Sequence, residues 1–261
     1  MLARLLPVIL ALALGAAAVA SSAGGPQGLS AAAQLLPDLD QETPWNLEVT
    51  RDEARGGYRL GFSSAVRNVG AGPLIVSGRR RAANPTMTVD QLIEQEEAPI
   101  AVVEGVGRLR FVRSPDHEHW HLLGFERYEL RRAAGRARVV TDRKTGFCLG
   151  DRYRVRGRKL PAQPPEPVYT SRCGLGRTGL LRLTEGISVG YGDDYKPNLE
   201  GQSLRLSGLD GGRYLLVHRV NVGRKLREAS YANNAASVLL RLRWRDGRPS
   251  VRVIKSCPNH C

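Results

Sequence analysis

The chain has 261 residues, enough for one large domain or two small ones whose core folds without staples. Its formal net charge is +14, and only five of its 39 basic residues are lysine (Lys144, Lys159, Lys196, Lys225 and Lys255), which leaves thirty-four arginines. The arginines are scattered singly, SGRRR at 77–81 is the one run, and aromatics make up 6% of the chain, so the composition argues against nucleic acid and fits a solvated basic surface suited to anionic cell-envelope polymers.

The opening MLARLLPVILALALGAAAVA carries one arginine, an apolar run too short to span a bilayer comfortably, and Ala18-Val19-Ala20 where a signal peptidase needs small residues. Residues 1–20 are expected to be an export signal, with an uncleaved anchor as the alternative; no later segment is apolar for long enough to cross a membrane. The chain is therefore expected to be secreted or extracytoplasmic. Residues 21–43 begin with the composition of a linker, and 44–261 are expected to form the folded domain.

Within that domain the segments 58–70, 108–112, 119–132, 203–208, 213–223 and 236–245 alternate apolar and polar residues between Gly, Asn and Asp turns, which predicts strands. TMTVDQLIEQ at 86–95 predicts the one helix, with Thr88 or Asp90 near its start. GGYRLGFSSAVRNVG and GGRYLLVHRVNVG share a weak likeness that suggests two hairpin-like units. The expectation is an all-β fold, an immunoglobulin-like β-sandwich with long loops. In an oxidising compartment four cysteines allow three disulfide connectivities; Cys148–Cys173 with Cys257–Cys261 is the expected one, and a thiolate metal site in CPNHC using His260 is its rival.

SPDHEHWHLLGFERYEL at 114–130 holds three of the five histidines of the chain. If this is a strand, His117, His119 and His121 point to one face, roughly 6 to 7 Å apart, and Glu118 and Trp120 point to the other. Three imidazoles converging on one ion would make an open, all-nitrogen site suited to Cu(II) or Zn(II), with copper favoured wherever it is available. A solvated histidine patch is the bland alternative.

The order H-x-H-W-H, then KTGFCLGD, then GISVGYGDDY, then YLLVHRVNVGRKLREASYANN resembles the catalytic domain of the lysyl oxidase family, including bacterial-type secreted members, over roughly residues 45–245. That resemblance implies copper held by His117, His119 and His121. It implies a lysine tyrosylquinone made by joining Lys144 to Tyr195, and oxidative deamination of a primary amine or peptidyl lysine to an aldehyde with release of hydrogen peroxide and ammonia. Lysine is needed for the cross-link because a guanidinium stays protonated and is a poor nucleophile. Asp193 occupies the place of the family's aspartate and is the candidate base, with Asp194 beside it; both are equally readable as turn residues. Animal members have cysteines where this chain has Asp116, Tyr191 and Gly201, so the disulfide framework must differ. The competing function is a copper-binding or adhesive β-sandwich that never forms the quinone.

Overall fold

Alternation of apolar and polar residues becomes strand pairing along most of the chain. The structure, a computed structural model, describes residues 32–114, 117–141, 146–157, 159–199 and 201–261. The backbone of His117 is described but its side chain is not, and the expected export signal, Asp116 and Lys144 lie outside the described residues.

Among the described residues there is no helix, so the all-β expectation holds, and every strand pairing is antiparallel. The first strands are β1 (Gln34–Leu35), β2 (Leu39–Gln41), β3 (Trp45–Arg51), β4 (Tyr58–Asn68), β5 (Leu74–Arg79) and β6 (Thr86–Gln95). The middle ones are β7 (Ala98–Ser114), β8 (His117–Leu122), β9 (Glu126–Arg132), β10 (Arg138–Thr141), β11 (Tyr153–Arg154) and β12 (Arg182–Ile187). The last are β13 (Tyr191–Tyr195), β14 (Ser203–Arg205), β15 (Gly212–Val220), β16 (Ala235–Arg245) and β17 (Arg248–Cys257). One sheet runs β12-β5-β6-β7-β8 with β1 on β6; a second runs β10-β9-β15-β16-β17; a third runs β11-β13-β4-β14, with β2 and β3 also on β4. Their inner faces share one apolar core, to which Phe62, Met87, Leu109, Trp120, Leu130, Leu216 and Leu240 belong, as in packed sandwiches.

Several expectations are corrected. The segment 86–95 is the strand β6, not a helix. Its β-branched Thr86, Thr88, Val89 and Ile93 fit a pleated surface, and pairing to both β5 and β7 overrides the helical spacing. Asp90, read as a helix start, instead sits at a break in the β6–β7 register, accepts the amide of Gly105 at 2.9 Å and pairs with Arg79. The run 119–132 is two strands in two sheets, split by a turn at Leu123 and Gly124, whose φ of 71° favours glycine. The two look-alike segments are β4 and β15, each flanked by partners on both sides in its own sheet, and not hairpin units. Strand pairing already begins at Gln34, inside the segment that its composition marks as linker, because Leu39 is fully buried against the core and β2 pairs with β4.

Both expected disulfides form, Cys148–Cys173 and Cys257–Cys261, and no described cysteine is free for the rival thiolate site. Cys148–Cys173 staples the two segments that cover the outer edge of β8. Phe147 exchanges backbone hydrogen bonds with Leu122 (2.8 and 3.1 Å), and the Cys173 carbonyl accepts the Trp120 amide at 2.9 Å. Replacing both cysteines with serine is expected to lower stability by about 2 to 4 kcal/mol, the usual range for closing a loop of this size. Urea unfolding followed by tryptophan fluorescence measures it, and an unchanged midpoint would show that the bridge constrains nothing.

Candidate active site

The site is built where β8, the segment 146–149 and β13 meet. On β8 the His119 and His121 rings lie on one face, centroids 4.7 Å apart; His121 is buried and His119 half-buried. Trp120 points the other way into the core, its ring edge-on to Phe111 at 5.7 Å, under the Arg80 guanidinium at 4.9 Å, and its indole N–H donating to the Arg177 carbonyl at 3.0 Å. The strand alternation expected for the histidine row therefore holds for the two described rings.

Gly146 brings the second segment against the histidines. A Cβ there would meet the Leu122 carbonyl oxygen at 2.8 Å and the His121 Cβ at 2.9 Å, and its φ is 149°, so this position accepts only glycine. The next residue, Phe147, carries the bridge to Leu122, and its ring stands edge-on to Tyr195 at 5.1 Å and 89°. Tyr195 is buried on β13, opposite Ser64 of β4. Its hydroxyl donates toward the Cys148 carbonyl (3.0 Å) and the Asp193 Oδ2 (2.8 Å), two acceptors for one proton.

Asp193 is a strand residue paired with Val66 rather than a turn residue, and it is 1% exposed. It shares the face of Tyr195 and lies 3.5 Å from the Arg152 Nε; Asp194 points the other way and is half-buried. Lys196, the sequence neighbour of Tyr195, is exposed.

Five further groups, none of them singled out in the sequence, surround this place. Glu185 is 1% exposed, one oxygen accepts the Leu149 amide at 3.2 Å, and burial together with the Asp193 charge holds its carboxyl well above the usual range. Behind Phe147, Tyr128 stands edge-on to it at 6.1 Å and donates its hydroxyl to Glu126 at 3.1 Å. Glu126 meets His218 Nε2 at 2.5 Å, and Gln41 meets the other ring nitrogen at 2.6 Å. His218 lies in β15, so all four sequence motifs contribute to one neighbourhood.

Both buried tyrosines keep their protons beyond the ordinary tyrosine range. Burial is the first cause in each, followed by the charge of Asp193 for Tyr195 and of Glu126 for Tyr128. A folded-state value above the unfolded one means that the native protein retains protons the unfolded chain gives up. Stability is then complete below about pH 10 and falls above it by about 1.4 kcal/mol per pH unit for each tyrosine. Thermal melts of metal-free protein between about pH 8 and pH 11 are expected to show that onset. A profile with no fall at its alkaline end would contradict the burial of these hydroxyls.

His119 and His121 place two imidazole rings side by side, a donor type that suits copper or zinc. Among the described residues no group of three or more His, Cys, Asp or Glu is placed to hold a metal ion, and the third expected donor, His117, has no described side chain.

Comparison with known proteins bears on the same elements. A sequence model described as lysyl oxidase matches residues 107–252, more than half of the chain and a span that contains β8, β13 and β15. The chain is 26% identical to the protein-lysine 6-oxidase of Sus scrofa over 129 residues, which are 48% of this chain and 44% of that protein. It is 27% identical to the protein-lysine 6-oxidase of Homo sapiens over 122 residues, 45% of this chain and 25% of that one. The same identity and span hold for lysyl oxidase homolog 1 of Homo sapiens, of which 18% is covered. The chain thus spans less than half the length of these relatives.

Proposed function

Because the chain belongs to the lysyl oxidase family, we propose that it is a copper- and quinone-dependent amine oxidase acting on primary amines or peptidyl lysine. In this reading His117, His119 and His121 hold Cu(II), Lys144 and Tyr195 form the lysine tyrosylquinone, and Asp193 is the base. The observation that carries it is the hydrogen bond from the Tyr195 hydroxyl to the Cys148 carbonyl at 3.0 Å, which joins the lysine-bearing and tyrosine-bearing motifs although they lie 47 residues apart. Copper and quinone, when present, supply the electron acceptance that no ordinary side chain offers.

The protein's own residues do the rest. Asp193 Oδ2, 2.8 Å from the Tyr195 oxygen, is placed to take a proton from that oxygen or from a group bound beside it. Arg152 steadies the other carboxylate oxygen of Asp193. Phe147 fixes the plane of the Tyr195 ring from its edge. Burial of Asp193 and Tyr195 excludes water from the proton-bearing atoms, which strengthens each polar contact.

Export belongs to the same proposal, with residues 1–20 as signal and 44–261, together with the strands that precede them from Gln34, as the catalytic domain. Two disulfides support an oxidising compartment, and among the described residues no helix is long and apolar enough to cross a membrane.

Phenylhydrazine added to copper-loaded, aerated protein is expected to give a coloured adduct. Intact-mass analysis after reduction and digestion is expected to show the peptides of Lys144 and Tyr195 joined. Absence of both would leave a sandwich that binds copper without catalysis.

A further inference from the structure

A second surface stands on the outer face of the sheet β10-β9-β15-β16-β17. Register places Arg213 of β15 opposite Arg241 of β16, and Arg241 opposite Arg252 of β17, so three arginines stand in one row across three strands. Along the β16–β17 hairpin the same face carries Arg243 and then Arg245, which is paired in register with Arg248. Inward-pointing Leu240, Leu242 and Trp244 alternate with them, so all six guanidiniums emerge on the solvent side. Five are exposed and Arg241 is half-buried. None of the six has a carboxylate of the described residues within 4.0 Å. Five of them, Arg213, Arg241, Arg243, Arg245 and Arg248, line a cleft of about 1230 Å³ in which Asp246 is the one acidic side chain.

Like charges directly opposite on neighbouring strands oppose pairing, and solubility alone needs no row of this kind. Neighbouring strands lie about 4.8 Å apart, and alternate residues along a strand about 6 to 7 Å apart. The face is therefore a grid of positive forks at about 5 to 7 Å spacing. Guanidinium forks match the two non-bridging oxygens that each internal phosphate of a linear phosphate chain presents, so successive phosphates of one chain can engage successive forks of the grid. The one aromatic ring lining the cleft, that of Trp244, offers no open face for a base to stack on. Trp244 is turned inward, its indole N–H donating to the Leu209 carbonyl at 2.9 Å and its ring edge-on to Tyr58 at 6.0 Å.

We propose that this arginine face is a docking surface for a linear, base-free phosphate polymer. It goes beyond the amine oxidase reading and does not depend on it. The polymer would hold the protein on an anionic matrix by the outer face of β15–β17, while the candidate active site is built on β8, the segment 146–149 and β13.

The test uses the full metal-free chain with inorganic polyphosphate as the probe, titrated across a range of salt. Binding is expected to weaken with salt, with a log–log slope of about −3 to −4, as about five phosphates engaged at about 0.7 each require. The triple variant Arg241→Gln, Arg243→Gln, Arg245→Gln is expected to bind at least tenfold more weakly and to lose about two units of that slope. It is also expected to melt no lower than the parent, because it relieves cross-strand repulsion. A control triple with the same loss of charge, Arg81→Gln, Arg172→Gln, Arg182→Gln, is expected to bind as the parent does. If the face triple fails to fold, Arg243→Gln with Arg245→Gln, both exposed, tests the same claim with two thirds of the slope change. Equal loss in the face and control variants would overturn the proposal in favour of attraction to the overall charge. Tighter binding of a single-stranded oligonucleotide or of poly-glutamate than of polyphosphate at equal charge would overturn it in favour of a nucleic acid or an acidic protein.

Discussion

Tyr195→Phe is expected to bind copper as the parent does and yet show no quinone absorbance, no phenylhydrazine adduct and no amine oxidation. The loss in kcat is expected to be at least ~10³-fold, equivalent to ~4 kcal/mol of barrier. The substitution removes one atom. The ring that packs edge-on to Phe147 stays, and so do the strand pairing with Ser64 and the burial. What goes is the hydroxyl that donates toward Cys148 and Asp193, at a cost to stability of about 1 kcal/mol. The expectation is sharpened by the environment of that hydroxyl. Burial and the Asp193 carboxylate hold its proton well beyond the ordinary tyrosine range, so the phenol does not ionise unaided, and a nearby cation is what would release it. Copper stoichiometry, the adduct spectrum and initial rates with a primary amine measure the three expectations together. A Tyr195→Phe protein that oxidised amines at the parent rate would remove this tyrosine from the chemistry.

Part of this arrangement was legible before any coordinates. Two-residue periodicity is a local property, so the histidine row could be read directly, and the rings of His119 and His121 do share a face. Four motifs in family order likewise pointed to Asp193 and Tyr195, which the fold brings together with the Cys148 segment. Expected export and an even count pointed to disulfides but left three connectivities; the chosen one, Cys148–Cys173 with Cys257–Cys261, is the one that forms.

The failures share a physical cause, since each depends on a partner far away in sequence. Nothing inside TMTVDQLIEQ tells whether strands will flank it, and β5 and β7 decide the matter. Gly124 looked like one more residue in a long strand because the change of sheet it permits is a tertiary event. Glu185 carries no local signal of burial, yet β12, paired with β5, buries it near enough to Asp193 for that charge to act on its carboxyl. His218 and Glu126 could not be paired from sequence, because they lie 92 residues apart and meet through the β9–β15 ladder. Even the arginine row is invisible until the register sets Arg213, Arg241 and Arg252 side by side.

His119→Ala should fail earlier than Tyr195→Phe, and the order of failure is what separates a site that makes its own cofactor from a site that merely holds a metal. His119 is half-buried and its backbone pairs with Val112, so the alanine leaves β8 in place and costs the fold little. Copper affinity is expected to fall by more than about 100-fold, the upper end of what loss of a mere supporting partner costs a metal site. Water replaces an imidazole poorly on a borderline metal such as copper. Tyr195 should then remain an unmodified tyrosine even in aerated, copper-supplemented protein, and its peptide should run at the unmodified mass, separate from the peptide of Lys144. Equilibrium dialysis reads the first expectation and peptide mass analysis the second. Tight one-to-one copper binding in His119→Ala would place the ligands elsewhere. A Tyr195 peptide still joined to the Lys144 peptide in a variant that had lost its copper would break the dependence of the cross-link on the histidine strand. The Gly146 backbone wedged against His121 gives that dependence a structural basis, because the segment leading to Phe147, whose ring meets Tyr195, is seated on the same strand that carries the proposed metal donors.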